Sequence, residues 1–238
     1  MSKQDNLTDF LTDVADAIRE KKGTTEKINP QNFSEEIRGI ESGGGGNINA
    51  TIEVISPTSF GPNSYKSVVI HEGVTELLAY AIYYANNMTY LKLPSTLVKI
   101  GNSAVDGAWN IAQLDIPNGV TSIGYGAFSN ARKIKTVKIP NATTTIGGSA
   151  FRYCSMLDSV DIGTGVTSIG ELCFANGAVK MVTIRAINPP SIGTNTFVPM
   201  PSAIYVPDES VEAYKSATNW SAYADIIKPL SEYQPTNE

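Results

Sequence analysis

Leu114-Asp115-Ile116-Pro117-Asn118-Gly119-Val120-Thr121-Ser122-Ile123-Gly124-Tyr125-Gly126-Ala127-Phe128 decides the fold, because the chain says it again and again. Its opening apolar-x-apolar triplet recurs at Val68/Ile70, Leu91/Leu93, Val137/Ile139, Val160/Ile162, Val182/Ile184 and Ile204/Val206. The first four steps are 23 residues each and the last two are 22. A fixed period of this length predicts a solenoid, in which one repeat is one coil and stacking buries what a single coil leaves exposed. The fold class expected is mainly β with short helices: a solenoid of about six coils, an N-terminal helical pair and a C-terminal helical cap.

The offsets within each repeat are regular. Counted from the first triplet residue, offset 9 holds Leu77, Ile100, Ile123, Ile146 and Ile169, and offset 10 holds Gly101, Gly124, Gly147 and Gly170. Offsets 13 and 14 hold Ala81-Ile82, Ala104-Val105, Ala127-Phe128, Ala150-Phe151 and Cys173-Phe174, a small-large pair suited to packing the far side of the coil. Pro94, Pro117, Pro140 and Pro207 end the first strand by removing a backbone donor, and the glycines are expected to make the bend after a second short strand. Seven strands stacked at about 4.8 Å predict a ladder roughly 30 Å long. The residue between each inward pair must face solvent. Lys92, Asp115, Lys138 and Asp161 alternate in sign there, predicting a ladder of opposite charges.

Outward from the repeats, residues 207–238 read as a cap over the last coil, with a helix through Val211, Tyr214 and Ala217, then Trp220, Tyr223 and a strand-like Ile226-Ile227. Residues 48–67 read as a lead-in strand and turn. Residues 42–47, with Gly43, Gly44, Gly45 and Gly46 in a row, read as a flexible linker. Residues 1–41 read as a helical anchoring or oligomerisation segment. Leu7, Phe10, Leu11, Val14 and Ile18 keep the spacing of an amphipathic helix, and Phe33, Ile37 and Ile40 line a second, capped by Asn29 with Pro30 at its first position. Two helices this short bury too little to stand alone, so they are expected to dock, on their own copies or on a larger assembly.

Composition narrows the function. A net charge of -5 and a pI near 5.0 argue against nucleic acid as a partner. Cys154 and Cys173 are too few for a disulfide scaffold, and no apolar run reaches the roughly 18 residues of a membrane span. Met1 to Lys22 carry Asp5, Asp9, Asp13, Asp16 and Glu20 without an apolar run, which is not the pattern of a signal peptide. The expectation is a chain kept inside the producing cell unless it leaves by lysis or in a particle.

The motif starting at Leu114 resembles the BspA-like type of leucine-rich repeat, common in bacterial surface antigens. The copies at 137 and 160 match well and those at 68, 91 and 182 more loosely. The stretch from Ile204 through Asp225 is similar to the usual terminal unit of these proteins. At the other end, Val14-Ala15-Asp16-Ala17-Ile18-Arg19-Glu20-Lys21 and Ile28-Asn29-Pro30-Gln31-Asn32-Phe33 resemble the short leader found on many virion structural proteins of gut bacteriophages. That resemblance implies an adaptor fixing the protein to a particle while the repeats face outward.

No catalytic site is expected. His71 is the sole histidine, with no nucleophile elbow or clustered carboxylates to serve it, and reads as an ordinary exposed residue. Cys154 and Cys173 stand at different offsets on adjacent coils, so buried free thiols are expected rather than a disulfide. The glycine run lacks the Gly-Lys-Ser/Thr of a phosphate loop, and Asp161-Ile162-Gly163-Thr164-Gly165 gathers too few carboxylates for calcium. Neither metal nor cofactor is implied. Tyr83, Tyr84, Tyr90, Trp109, Tyr125 and Tyr153, at or near turns, are the candidate recognition surface, since aromatic rings give rigid contact area. The function expected is a non-enzymatic bacteriophage virion component of fibre or decoration type. It would bind other virion proteins through residues 1–41, form a homo-oligomer (a trimer would suit a fibre), and meet a host-surface protein or glycan through its repeats, without inserting into a membrane. The alternative is a bacterial cell-surface adhesin.

Overall fold

The computed structural model describes residues 52–54, by their backbone, and 66–234, all within the second of two units, Asn49–Glu238. The expected helical pair, the glycine linker and most of the lead-in segment lie outside the described residues.

Two strands alternate along the repeats. In chain order they are β1 (Ile52–Val54), β2 (Ser67–Ile70), β3 (Glu76–Leu77), β4 (Tyr90–Lys92), β5 (Lys99–Ile100), β6 (Ser122–Ile123), β7 (Thr136–Ile139), β8 (Thr145–Ile146), β9 (Ser159–Ile162), β10 (Ser168–Ile169), β11 (Met181–Ile184), β12 (Ser191–Ile192), β13 (Ala203–Val206) and β14 (Ile227–Pro229). The two-residue strands, at offsets 8 and 9 in the first five coils and one residue later in β12, form one continuous parallel sheet of six, β3-β5-β6-β8-β10-β12. In-register pairs such as Ile100↔Ile123 and Ile123↔Ile146 confirm the 23-residue step. The longer strands make the main side, where β2, β7 and β9 alternate partly exposed or exposed with buried residues, as half-buried strands must. Here β1 pairs antiparallel with β2, and β2 pairs in parallel with β4.

The main side departs from an unbroken ladder of seven. It splits into β1-β2-β4 and β7-β9-β11-β13-β14, because Leu114-Asp115-Ile116 forms no strand. Leu114 and Ile116 remain 6% and 8% exposed, so the register survives. Gln113 Nε2 donates to Asp115 Oδ2 at 2.7 Å, a polar bond kept within the segment. Packing, not the hydrogen-bonded ladder, holds this coil on its main side.

A third row of bonds closes the coil on the side opposite the strands. Tyr80 N donates to Asn102 O, Ile82 N to Ala104 O and Tyr84 N to Asp106 O, at 3.0, 2.7 and 2.8 Å. The same trio, at offsets 12, 14 and 16, repeats coil by coil to Leu172, Phe174 and Asn176. Offsets 12 and 16 take left-handed φ throughout, from Tyr80 (62°) and Tyr84 (57°) to Leu172 (55°) and Asn176 (58°). Bulky residues rarely adopt that conformation, and here the bonds of neighbouring coils impose it.

Inside, Phe128, Phe151, Phe174 and Phe197 stack with centroids 5.3–5.4 Å apart and planes within 15°. The stack ends on the cap, where Phe197 meets Trp220 at 6.3 Å and the edge of Tyr223 at 5.7 Å. Helix α1 (Val211–Ser216) brings in Tyr214, wholly buried, whose hydroxyl donates to Ala186 O at 2.7 Å, while Trp220 Nε1 donates to Pro190 O at 2.7 Å. Ile226 closes the cap's 3-10 turn and Ile227 opens β14, so the cap's strand starts one residue later than expected.

The offset-10 glycines have a different reason from the one their sequence suggests. A Cβ on Gly124 would sit 2.6 Å from Gly101 C, and one on Gly147 2.5 Å from Gly124 C. Glycine is required there because successive coils touch backbone to backbone, not because the bend needs a special φ.

Candidate recognition surface

The six aromatic candidates do not share one surface. Tyr83, Tyr84, Tyr125 and Tyr153 lie on the turn side, 42–53% exposed. Tyr90 does not belong with them. It sits on β4, across from Ser67, and faces outward from the main side, because its position one residue before the inward pair is a strand position rather than a turn. Trp109 is half-buried, with the Arg132 guanidinium 4.5 Å from its ring centroid.

On the turn side each ring rests on a neighbour. Tyr83 meets the edges of Tyr80 at 5.2 Å and Tyr84 at 4.5 Å, forming one aromatic cluster on the first coil. Desolvation and then Tyr84 push the Tyr83 phenol above its ordinary value. Tyr84 lies over Gly107, where an added Cβ would come within 3.3 Å of its Cγ, and Tyr125 lies over Gly148, with its Cδ2 and Cε2 at the same distance. Tyr153 carries the Arg152 guanidinium 4.7 Å above its ring. Missing glycine side chains in adjacent coils thus give two tyrosines a flat seat. Between the rings run polar groups, among them Asn130 Nδ2, which donates to Asp106 Oδ1 at 3.0 Å.

The sequence reading missed Tyr80 and Leu78, 60% and 69% exposed. Tyr80 occupies offset 12, where the next four coils carry the left-handed residues Ser103, Gly126, Ser149 and Leu172.

The main side is chemically different. Lys138 does stand across from Asp161 in register. The alternating ladder nevertheless is not the pairing adopted, since Asp161 accepts from Arg185 Nε and Nη2, at 2.8 and 3.1 Å. Arginine's planar fork matches a carboxylate better than the single-point ammonium of lysine. That bond raises the Arg185 pKa further. The pair borders a depression of about 130 Å³ lined by Lys138, Met181, Thr183 and Tyr233.

His71 is half-buried rather than exposed. Cys154 and Cys173 are buried free thiols, as their slots implied. Burial pushes Cys154 up to about 12 and Cys173 higher still, so neither is a ready nucleophile. Among the described residues no group of His, Cys, Asp and Glu is placed to hold a metal ion, and no helix is long and apolar enough to cross a membrane. The anchoring residues Leu7, Phe10, Leu11, Val14, Ile18, Phe33 and Ile37 fall outside the described residues.

Comparison with known proteins gives the repeats their family. The BspA type leucine-rich repeat region matches in six copies, over residues 26–130 and 75–202. No curated protein matches the chain. Among solved structures, a leucine rich cell surface protein of Faecalibacterium prausnitzii A2-165 is 30% identical, with a TM-score of 0.56 over 66% of this chain and 42% of that one. The pneumococcal vaccine antigen PcpA is 18% identical, with a TM-score of 0.51 over 69% of this chain and 40% of its own, a likeness of fold alone. The chain spans about two fifths of the length of each. With the period, the register and the family profile in agreement over most of its length, this chain belongs to the BspA-type leucine-rich-repeat family.

Proposed function

We propose that this chain is a non-enzymatic bacteriophage virion protein of fibre or decoration type. Residues 1–41 fix it to the particle, and the solenoid presents its turn side to a host surface. The carrying observation is the set of turn-side tyrosines, 42% or more exposed and each resting on a neighbour, two of them seated on glycines of the next coil. Prearranged aromatic area of this kind lowers the entropic cost of binding. The particle as the place of display is supported by the leader-like residues 14–21 and 28–33, joined to the repeats through Gly43–Gly46. A homo-oligomer, best a trimer, would multiply weak contacts by a solenoid into a firm hold.

A second reading, a bacterial cell-surface adhesin, is favoured by the 30% identity to the Faecalibacterium leucine rich cell surface protein. Peptide mass spectrometry on purified particles, with host membrane and secreted fractions alongside, separates the two. Peptides in the particles at the level of structural proteins are expected. Enrichment in the cell-surface fraction would instead establish the adhesin.

A further inference from the structure

One stretch of the turn side carries hydrogen-bond donors with no acceptor. Ser149 stands at offset 12 of the fourth coil, 4% exposed, and its Oγ has no hydrogen-bond partner. A turn bond links it to Arg152, whose N donates to Ser149 O at 3.0 Å. The Nε of Arg152 is likewise buried and without a partner, and no ion pair holds its guanidinium among the described residues. Arg185 shows the alternative, with two of its nitrogens on one carboxylate. A buried donor left unmade is costly, more so in a charged group, so two idle donors three residues apart mark a place that an outside acceptor would stabilise.

The surroundings state what kind of acceptor. Tyr125, 53% exposed, lies over Gly148, next in the chain to Ser149, and offers its ring beside the donors. Gly126, at the offset of Ser149 in the preceding coil, is buried, and a side chain there would meet Ser103 Oγ at 3.1 Å. Arg132, stacked on Trp109, adds a second cation further round the coil. The strip also carries carboxylates, Asp106 and Glu171, so the attraction for an anion comes from the unfilled donors rather than from an excess of positive charge. A flat ring beside a cation and a hydroxyl suits a ligand that has an apolar face and a carboxylate on one body.

We propose that this part of the turn side binds a carboxylated saccharide. Tyr125 takes the face of the sugar ring, and Arg152 and Ser149 donate to the carboxylate. No hydrogen bond or ion pair among the described residues holds the Arg152 side chain, so it can turn from Tyr153 toward the ligand. The proposal rests on the recognition reading above and gives it a ligand class.

The test is titration calorimetry of the full-length chain with hyaluronan hexasaccharide, an oligogalacturonate and sialyllactose, against neutral maltohexaose. At least one acidic probe is expected to bind and the neutral one not to. Arg152→Gln and Tyr125→Ala should each weaken binding by about tenfold, the size of one charged hydrogen bond or one lost stacking contact. Arg185→Gln, on the main side, should leave it unchanged. Circular dichroism of each variant checks that the fold persists. Equal binding of maltohexaose, or full affinity in Arg152→Gln, overturns the proposal. If the chain labels host cells while none of the acidic probes binds, the saccharide is wrong and the recognition reading stands. If the chain also fails to label host cells, both fall.

Discussion

The two ends of the solenoid repeat the same sequence motif and are built to different standards. At the C-terminal end the small-large pair is Ala127-Phe128, Ala150-Phe151 and Cys173-Phe174, each at 0–1% exposure, and the aromatic stack runs without a break into Trp220 and Tyr223. On the first coil the equivalent pair is Ala81-Ile82, with Ala81 exposed and Ile82 only partly covered. Besides strand pairing and the buried Val68, Ile70 and Leu77, that coil is tied to the next by polar bonds. Glu72 accepts from Ser95 N, Ser95 Oγ and Thr96 N at 2.9, 2.8 and 3.2 Å, and Gly73 N donates to Thr96 Oγ1 at 2.9 Å. A coil gains most of its stability from its neighbours, so the repeat alone does not set how firmly a coil is held. The same end that packs poorly also displays Leu78 and the Tyr80–Tyr83–Tyr84 cluster, surface available for contact with other molecules.

The largest test of this contrast is truncation of the offset-14 side chain at two heights. Phe151→Ala removes a ring stacked on both faces, by Phe128 and Phe174, and should cost about 3–5 kcal/mol in urea unfolding. Val105→Ala, two coils earlier and equally buried, should cost about 2 kcal/mol. Equal losses would mean that the stacked ring contributes no more to stability than a single valine side chain.

Alkali should loosen the packed end. Cys154 has its pKa raised from 9.0 to about 12, first by desolvation. A raised folded-state pKa means that the folded chain keeps a proton which the unfolded chain gives up. The thiol's contribution is therefore whole below pH 9.0 and is lost as pH climbs toward about 12. The loss is about 1.4 kcal/mol per pH unit for one thiol. Urea midpoints measured from pH 8 to 11 should fall with a slope that Cys154→Ala reduces. An identical slope in both proteins would show that the thiol already ionises in the folded chain.

Much of this was legible beforehand, and the misses share one cause. The period, the inward pairs, the cap and the buried thiols follow from which side chains must be apolar, and burial writes itself into residue type. What the residue types did not disclose was the backbone. The break at Leu114–Ile116 keeps its two buried side chains and loses only hydrogen bonds. The third row of bonds across the turns uses amides, so its only trace is the left-handed requirement at offsets 12 and 16, filled by residues as unlike as Tyr153 and Asn130. The same blindness placed Tyr90 among the turn tyrosines, when one residue of register puts it on the opposite side. It also hid the donors of Ser149 and Arg152, since an unfilled hydrogen bond has no sequence signature.

Acid should act at the other end, with the smallest effect. Glu72 has its pKa lowered, first by the bond from Ser95 N, then by the Ser95 hydroxyl. A lowered folded-state pKa gives a contribution that is present above the ordinary value of 4.5 and lost as pH falls through the folded one. Because the carboxylate is fully exposed, the change should not register as global unfolding but as local release of the first coil from the second. Amide exchange of Ser95 and Thr96 reads it directly. Their protection should drop as pH falls below 4.5 once the intrinsic rate is divided out, while the amides of Phe151 and Phe174 hold theirs. Glu72→Gln should give the acid pattern already at neutral pH, because an amide keeps the shape and loses the charge that three donors point at. If protection at Ser95 is the same in both proteins at every pH, the first coil is held by Val68 and Ile70 packing on Leu91 after all, and the two ends differ in degree rather than in kind.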